Sequence, residues 1–81
     1  MKNVNENNLK TCIFLKADEF MNICEELEIR FDIEFDTIIF NSINEYDALE
    51  MLSQYFGVKK ITSVHTDGYE FDLGIWLVYQ D

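Results

Sequence analysis

The stretch Glu28-Ile29-Arg30-Phe31-Asp32-Ile33-Glu34-Phe35-Asp36 decides how the chain is read, because apolar and charged residues alternate through it without a break. A period of two sends successive side chains to opposite faces of a strand. Ile29, Phe31, Ile33 and Phe35 are therefore expected to be buried, and Glu28, Arg30, Asp32, Glu34 and Asp36 to meet water. Upstream the period is longer. Leu9, Ile13, Ala17, Phe20, Cys24 and Leu27 recur at steps of three or four, the spacing of a helical stripe. Ala17 to Leu27 is expected to be helix. Thr11 to Leu15 (Thr-Cys-Ile-Phe-Leu) also has strand character, so residues 9–16 fit either state. Downstream, Thr37 to Phe40 is a β-branched run that reads as the same strand continued past a bulge, or as a second one.

A second helix is signalled further on. Ser42 precedes Glu45 by three residues and Asn44 precedes Asp47 by three, so either pair fits a capping box or a close variant. Ala48, Leu49, Leu52, Tyr55 and Phe56 form the apolar stripe, and Gly57 stands where a left-handed C-terminal residue is wanted. In the last third, Asp67-Gly68 suits a two-residue type I′ turn between strand-like runs. That turn would set Thr66 opposite Tyr69, Val64 opposite Phe71, Thr62 opposite Leu73 and Lys60 opposite Ile75. Tyr69, Phe71, Leu73, Ile75, Leu77 and Tyr79 share one face, while Trp76 and Val78 lie on the other, which makes the strand apolar on both sides. The expected fold is α+β, a small single domain. It would hold an antiparallel sheet of three to five strands, two helices packed mainly on one face, and a C-terminal β-hairpin. Residues 9–81 form that domain, and Met1 to Asn8, polar and Asn-rich, reads as a flexible N-terminal segment.

Composition supports a core without staples. Seven Phe, four Tyr and one Trp occur among 81 residues, and each aromatic side chain buries roughly 150–250 Å². Cys12 and Cys24 are too few for a disulfide scaffold and read as core thiols. No apolar run has the length of a signal peptide or a membrane span, so a soluble protein in the reducing cytoplasm of a bacterial host is expected, with no membrane partner. Residues with AT-rich codons (Phe, Tyr, Met, Ile, Asn and Lys) number 35, against 6 for Gly, Ala, Arg and Pro, which suits an AT-rich bacterial, phage or mobile-element genome.

Charge carries the functional signal. The formal net charge is -10, and it is concentrated: between Asp18 and Val58 eleven carboxylates face one base, Arg30. From Phe31 to Val58 there is no base at all. On an extended strand Asp32, Glu34 and Asp36 would share a face at intervals of about 6.7 Å, near twice the ~3.4 Å charge spacing of one DNA strand. With Glu45, Asp47 and Glu50 of the second helix, they are the candidate partner-binding residues, able to imitate a phosphate backbone. The plainer alternative is a solvated surface that keeps the chain soluble. Trp76 and Val78 are a candidate dimer or partner contact, the alternative being a core covered on both sides.

His65, Asp67, Glu70 and Asp72 surround the hairpin turn, and that register would set His65 opposite Glu70 and Ser63 opposite Asp72. Neither cysteine lies at a ligand spacing, so no metal and no cofactor is expected. With no Gly-x-Ser-x-Gly elbow, phosphate loop, CxxC or HExxH, no catalytic residues are assigned and the protein is not expected to be an enzyme. Direct nucleic-acid binding is opposed by the charge.

The expected function is a non-enzymatic acidic binding protein that inhibits a basic protein, a nuclease or another nucleic-acid-handling protein, by competing with nucleic acid. In size, charge and coding bias the chain resembles the small inhibitors of phages and mobile elements, such as anti-CRISPR and anti-restriction proteins, antitoxins and immunity proteins. No motif of those families is present, and no functional residue is carried over from them. The competing expectation is a self-associating interaction module, a homodimer built on the apolar C-terminal hairpin. A weaker one is a small enzyme or metal-binding protein using His65 and nearby carboxylates.

Overall fold

A computed structural model describes residues 11–67 and 70–80, with the backbone alone for 70–73. Five strands and two helices follow one another as β1 (Thr11–Leu15), α1 (Ala17–Glu26), β2 (Phe31–Glu34), β3 (Thr37–Phe40), α2 (Glu45–Phe56), β4 (Lys60–Asp67) and β5 (Glu70–Gln80). The strands form one antiparallel sheet in the order β1-β5-β4-β3-β2. The first strand therefore pairs with the last, and α1 carries the chain from one edge of the sheet to the other. Both helices lie on one face. α1 packs on β5 and α2 on β4 and β3, so Phe20 and Cys24 of α1 share a core with Ala48 and Leu52 of α2 and with Ile38, Ile61, Val64, Ile75 and Leu77 of the sheet. The α+β architecture expected from the sequence is the one observed.

Residues 11–15 settle as strand because β5 offers them a full antiparallel partner, Thr11 opposite Tyr79 through Leu15 opposite Ile75. The helical stripe thus holds only from Ala17, and Leu9 lies outside the described residues. At the start of α1 the Glu19 carboxylate accepts a hydrogen bond from the Lys16 backbone N–H at 2.9 Å. Lysine has no acceptor to return, so half of a capping box forms. The helix closes on a Schellman motif: Glu28 N–H donates to Glu25 C=O and Ile29 N–H to Cys24 C=O. Glu28 adopts φ 61°, where glycine is usual. In α2 the choice between the two capping pairs falls to Asn44, whose Oδ1 accepts from Asp47 N–H at 2.9 Å. Gly57 takes the left-handed position with φ 70°.

The alternating stretch needs two corrections. Its strand begins only at Phe31, because Glu28 and Ile29 finish the Schellman turn. It also ends at Glu34, since Phe35-Asp36 is the two-residue loop of the β2–β3 hairpin. Phe35 has φ 59°, the positive value that a II′-class hairpin asks of its first loop residue. It is 75% exposed rather than buried. Ile29 is buried and Phe31 half-buried with its ring 5.1 Å from that of Phe20. Ile33 is exposed, because β2 is the edge beyond the helices.

The C-terminal hairpin exists with a different register. Asp67 is the last residue of β4 and pairs with Glu70, so the connection is residues 68–69, outside the described residues. A register shift follows at once: Thr66 pairs with Ile75, His65 with Trp76, Val64 with Leu77 and Ser63 with Val78, and a second shift between Ser63 and Ile61 then sets Ile61 opposite Tyr79 and Lys60 opposite Gln80. The bulged segment includes Gly74 at φ 144°. From Ser63 to Thr66 the slip from the expected pairing is even-numbered, so those faces stay as expected while the partners change; beyond the second shift it is odd, and Ile61 rather than Thr62 is buried on the side of Val64. Ile75 and Leu77 point into the core, and Trp76 and Val78 point away from it. The faces of Tyr69, Phe71 and Leu73 lie outside the described residues.

Candidate functional site

Two helices cover one side of the sheet, which leaves its other side uncovered among the described residues. The register places one complete row of side chains across that side. Phe14 of β1 stands opposite Trp76 of β5, Trp76 opposite His65 of β4, His65 opposite Thr37 of β3, and Thr37 opposite Glu34 of β2. One pleat along, Cys12 and Ser63 flank Val78, and Ile39 stands opposite Asp32. The face therefore grades from aromatic and apolar at β1 and β5, through hydroxyl and imidazole groups, to carboxylates at the β2 edge. Phe14 is 45%, Trp76 38% and Ile39 42% exposed. The rings of Phe14 and Trp76 lie 4.7 Å apart at 57°, within the range of favourable tilted aromatic pairs.

The candidate residues separate into two groups. Asp32 and Glu34 do share the outward face of a strand, and the Asp32 Oδ2 accepts from Asn41 Nδ2 at 2.6 Å. Asp36 does not continue that row. It sits in the hairpin loop, its backbone C=O accepting from Thr66 N–H at 2.9 Å and its carboxylate from the Thr37 hydroxyl at 3.3 Å. Glu45, Asp47 and Glu50 belong to the opposite layer, on a helix whose buried side (Ala48, Leu52, Ser53) faces the sheet. Asp47 is tied to its own helix cap through Asn44 Nδ2 at 3.0 Å. Glu50 borders an open depression of about 490 Å³ together with Lys59 and Lys60, the only adjacent bases of the chain, which offset its charge. A flat partner can meet the strand carboxylates or the helix carboxylates, and only a cleft that wraps the β2 edge can meet both. The residues that the structure does bring together are Asp32 and Glu34 with Trp76 and Val78, assigned from the sequence to rival functions.

Phe14 was not legible as part of a site, because its strand or helix state was open. The signal lies in its partner, Gly74. A Cβ at that position would collide with the Phe14 ring and approach the Leu15 carbonyl oxygen at 3.2 Å. Glycine thus leaves the room in which the Phe14 ring lies against β5 beside Trp76.

Negative potential is also collected at the edge. Glu25, Glu26 and Glu28 crowd the C-terminal end of α1, where no base stands in the last turn, and the helix dipole adds its own negative end. Glu25, Glu28 and Asp32, together with Arg30, line an open groove between α1 and β2.

His65 does not face carboxylates as the expected register had it: its cross-strand partners are Trp76 and Thr37, and Ser63 faces Val78. Among the described residues no three His, Cys, Asp or Glu converge as a metal site. The side chains of Glu70 and Asp72 lie outside the described residues. Cys12 is exposed on the uncovered face and Cys24 is buried, where desolvation pushes its thiol up to about 12. Among the described residues no helix is long and apolar enough to cross a membrane. No known family model matches the chain, and no curated protein or solved structure matches it significantly.

Proposed function

We propose that this chain is a non-enzymatic acidic binding protein that inhibits a basic nucleic-acid-handling protein, such as a nuclease, by occupying the surface that otherwise holds nucleic acid. The observation that carries the reading is the alignment of Asp32 and Glu34 on the uncovered face of a rigid sheet, in a stretch from Phe31 to Val58 that contains no base. Carboxylates fixed on a strand lose little further freedom on binding, and a chain of net charge -10 steers a basic partner toward itself over a Debye length of about 10 Å at 0.1 M salt. The class of small inhibitors carried by phages and mobile elements, anti-CRISPR proteins among them, has this size and charge, and its members act in the cytoplasm of a bacterial host. Asp36, beside the row, and Glu45, Asp47 and Glu50, on the other layer, contribute to the long-range field.

The test compares two charge-reversed proteins with the wild type on an affinity resin exposed to bacterial lysate. Wild type is expected to retain basic proteins that elute with rising salt and are displaced by duplex DNA. Asp32→Lys, Glu34→Lys and Asp36→Lys together abolish that retention while the circular dichroism melt stays within a few degrees, because exposed substitutions usually change stability by less than about 0.5 kcal/mol each. Glu45→Lys, Asp47→Lys and Glu50→Lys together slow capture without removing it. Retention of the same proteins by a folded strand triple variant refutes the assignment.

A second reading has its own observation. Phe14, Trp76 and Ile39 are exposed on one face, which suits self-association. A dimer held by that face would persist or tighten as salt rises, and light scattering distinguishes it from a salt-sensitive acidic contact.

A further inference from the structure

The inhibitor reading uses only the acidic end of the uncovered face. The other end is a built platform. Phe14 and Trp76 are each more than a third exposed, yet their rings are fixed against one another at 4.7 Å, and a Cβ-free residue at Gly74 makes the seat for Phe14. Preorganised aromatic surface of this kind is what dominates binding energy at protein interfaces, tryptophan above all.

The register gives the distance between the two ends. From Phe14 to Glu34 the row crosses four strand spacings, about 19 Å at ~4.8 Å each, a length that about six extended residues span. Resting on the proposed function, we propose that this row receives a single segment of the partner lying across the strands, its apolar end on the Phe14–Trp76 platform and its arginine or lysine end at Glu34 and Asp32.

Charge complementarity selects this occupant. A second copy would bring another chain of net charge -10 against a face that already ends in carboxylates. Single-stranded nucleic acid stacks readily on aromatic sheet faces, but it needs a positive groove for its phosphates, and here Asp32 and Glu34 stand in the same rows. A segment that is apolar at one end and basic at the other meets both halves of the face.

The probes are two synthetic peptides of about eight residues, each with three arginines and a Gly-Ser spacer, ending in three leucines or in three serines. Neither contains tryptophan, so Trp76, the only tryptophan of the chain, reports on its own surroundings. The leucine peptide is expected to bind at least about tenfold more tightly than the serine peptide and to shift Trp76 emission to the blue. Phe14→Ala and Gly74→Ala, each checked by circular dichroism, reduce that preference to less than about threefold while leaving the salt-dependent binding of the serine peptide unchanged. Equal affinity of the two peptides, or unaltered Trp76 emission at saturation, overturns the inference and leaves the acidic reading standing. Tighter binding of an oligo-dT strand overturns it in favour of nucleic acid, and a blue shift that grows with protein concentration and no peptide does so in favour of a second copy. If neither peptide binds at low salt, the inference and the proposed function fall together.

Discussion

Replacing Glu28 by glycine should stabilise the protein although it removes a side chain. Glu28 is the left-handed residue of the Schellman turn that ends α1, at φ 61°. An L-residue other than glycine holds that conformation at roughly 1–2 kcal/mol. The carboxylate also lies just past the negative end of the helix dipole, behind Glu25 and Glu26, a placement unfavourable by about 0.3–1 kcal/mol. Against these gains, glycine frees the unfolded chain by about 0.4–1 kcal/mol. The balance favours Glu28→Gly by about 1 kcal/mol, or about 4–8 °C in Tm for a domain of this size. Glu28→Gln separates the two causes, since it relieves the charge and leaves the backbone where it is. Its share should be a few tenths of a kcal/mol. Urea titrations of the three proteins, read at constant m-value, give the numbers. A glycine variant less stable than wild type refutes the argument, because it would mean that the Glu28 side chain makes contacts outweighing the strain of its backbone.

Ser53 is buried, donates its hydroxyl to Leu49 C=O at 2.7 Å and accepts from Ile61 N–H at 2.8 Å. Ser53→Ala leaves that strand N–H without a partner between α2 and β4, and urea unfolding should register a loss of about 1–3 kcal/mol. Cys24 gives a pH signature, since its folded thiol is raised from 9.0 to about 12. Above pH 9 the unfolded chain releases this proton while the folded chain retains it. Stability therefore falls as pH climbs toward 12, by about 1.4 kcal/mol per unit. Cys24→Ala should flatten that part of the stability curve relative to wild type, and an equal alkaline slope in the two proteins would refute the assignment. In the native protein an alkylating reagent should label Cys12 alone, with Cys24 following only at the rate of unfolding, as mass spectrometry of timed samples can show.

The elements that the sequence made legible are those in which local signals agree. Asn44 with Asp47 and Gly57 bracket α2 because cap chemistry and apolar period point to the same ends. The faces of β5 were readable because alternation alone sets them. Its partners were not, since a bulge near Gly74 moves the register without changing a single local preference. Thr11 to Leu15 was ambiguous for a related reason. Its strand state depends on β5 partners sixty or more residues away in sequence, and the helical step from Ile13 to Ala17 is accidental to the fold, since Ala17 and Phe20 belong to the buried face of α1 and Ile13 to a strand. Phe35 failed differently: the alternation continued through it, but the hairpin loop fell on it, and a loop is placed by the pairing of β2 with β3 rather than by the pattern. The candidate site shares these origins. Asp32 and Glu34 could be read from alternation, whereas their coplanarity with Trp76 is a product of strand order, which no window of the sequence contains.

That strand order also weighs the acidic surface against simple solubility. Solubility is satisfied by charge anywhere on the surface, and part of the pattern has another structural use, since Asp32 and Glu34 on an edge strand discourage pairing with other chains. The opposite edge, β1, has no charged residue between Thr11 and Leu15, so edge protection was not applied evenly. Glu25, Glu26 and Glu28 gather where the dipole of α1 disfavours them, and Glu28 does so on a strained backbone. A chain tuned for stability would carry lysine there. Carboxylates held at positions unfavourable for the helix, on the same edge as the outward pair of β2, with aromatic rings exposed farther along the same sheet face, fit the proposed contact with a basic partner better than a charge distribution set by helix stability would.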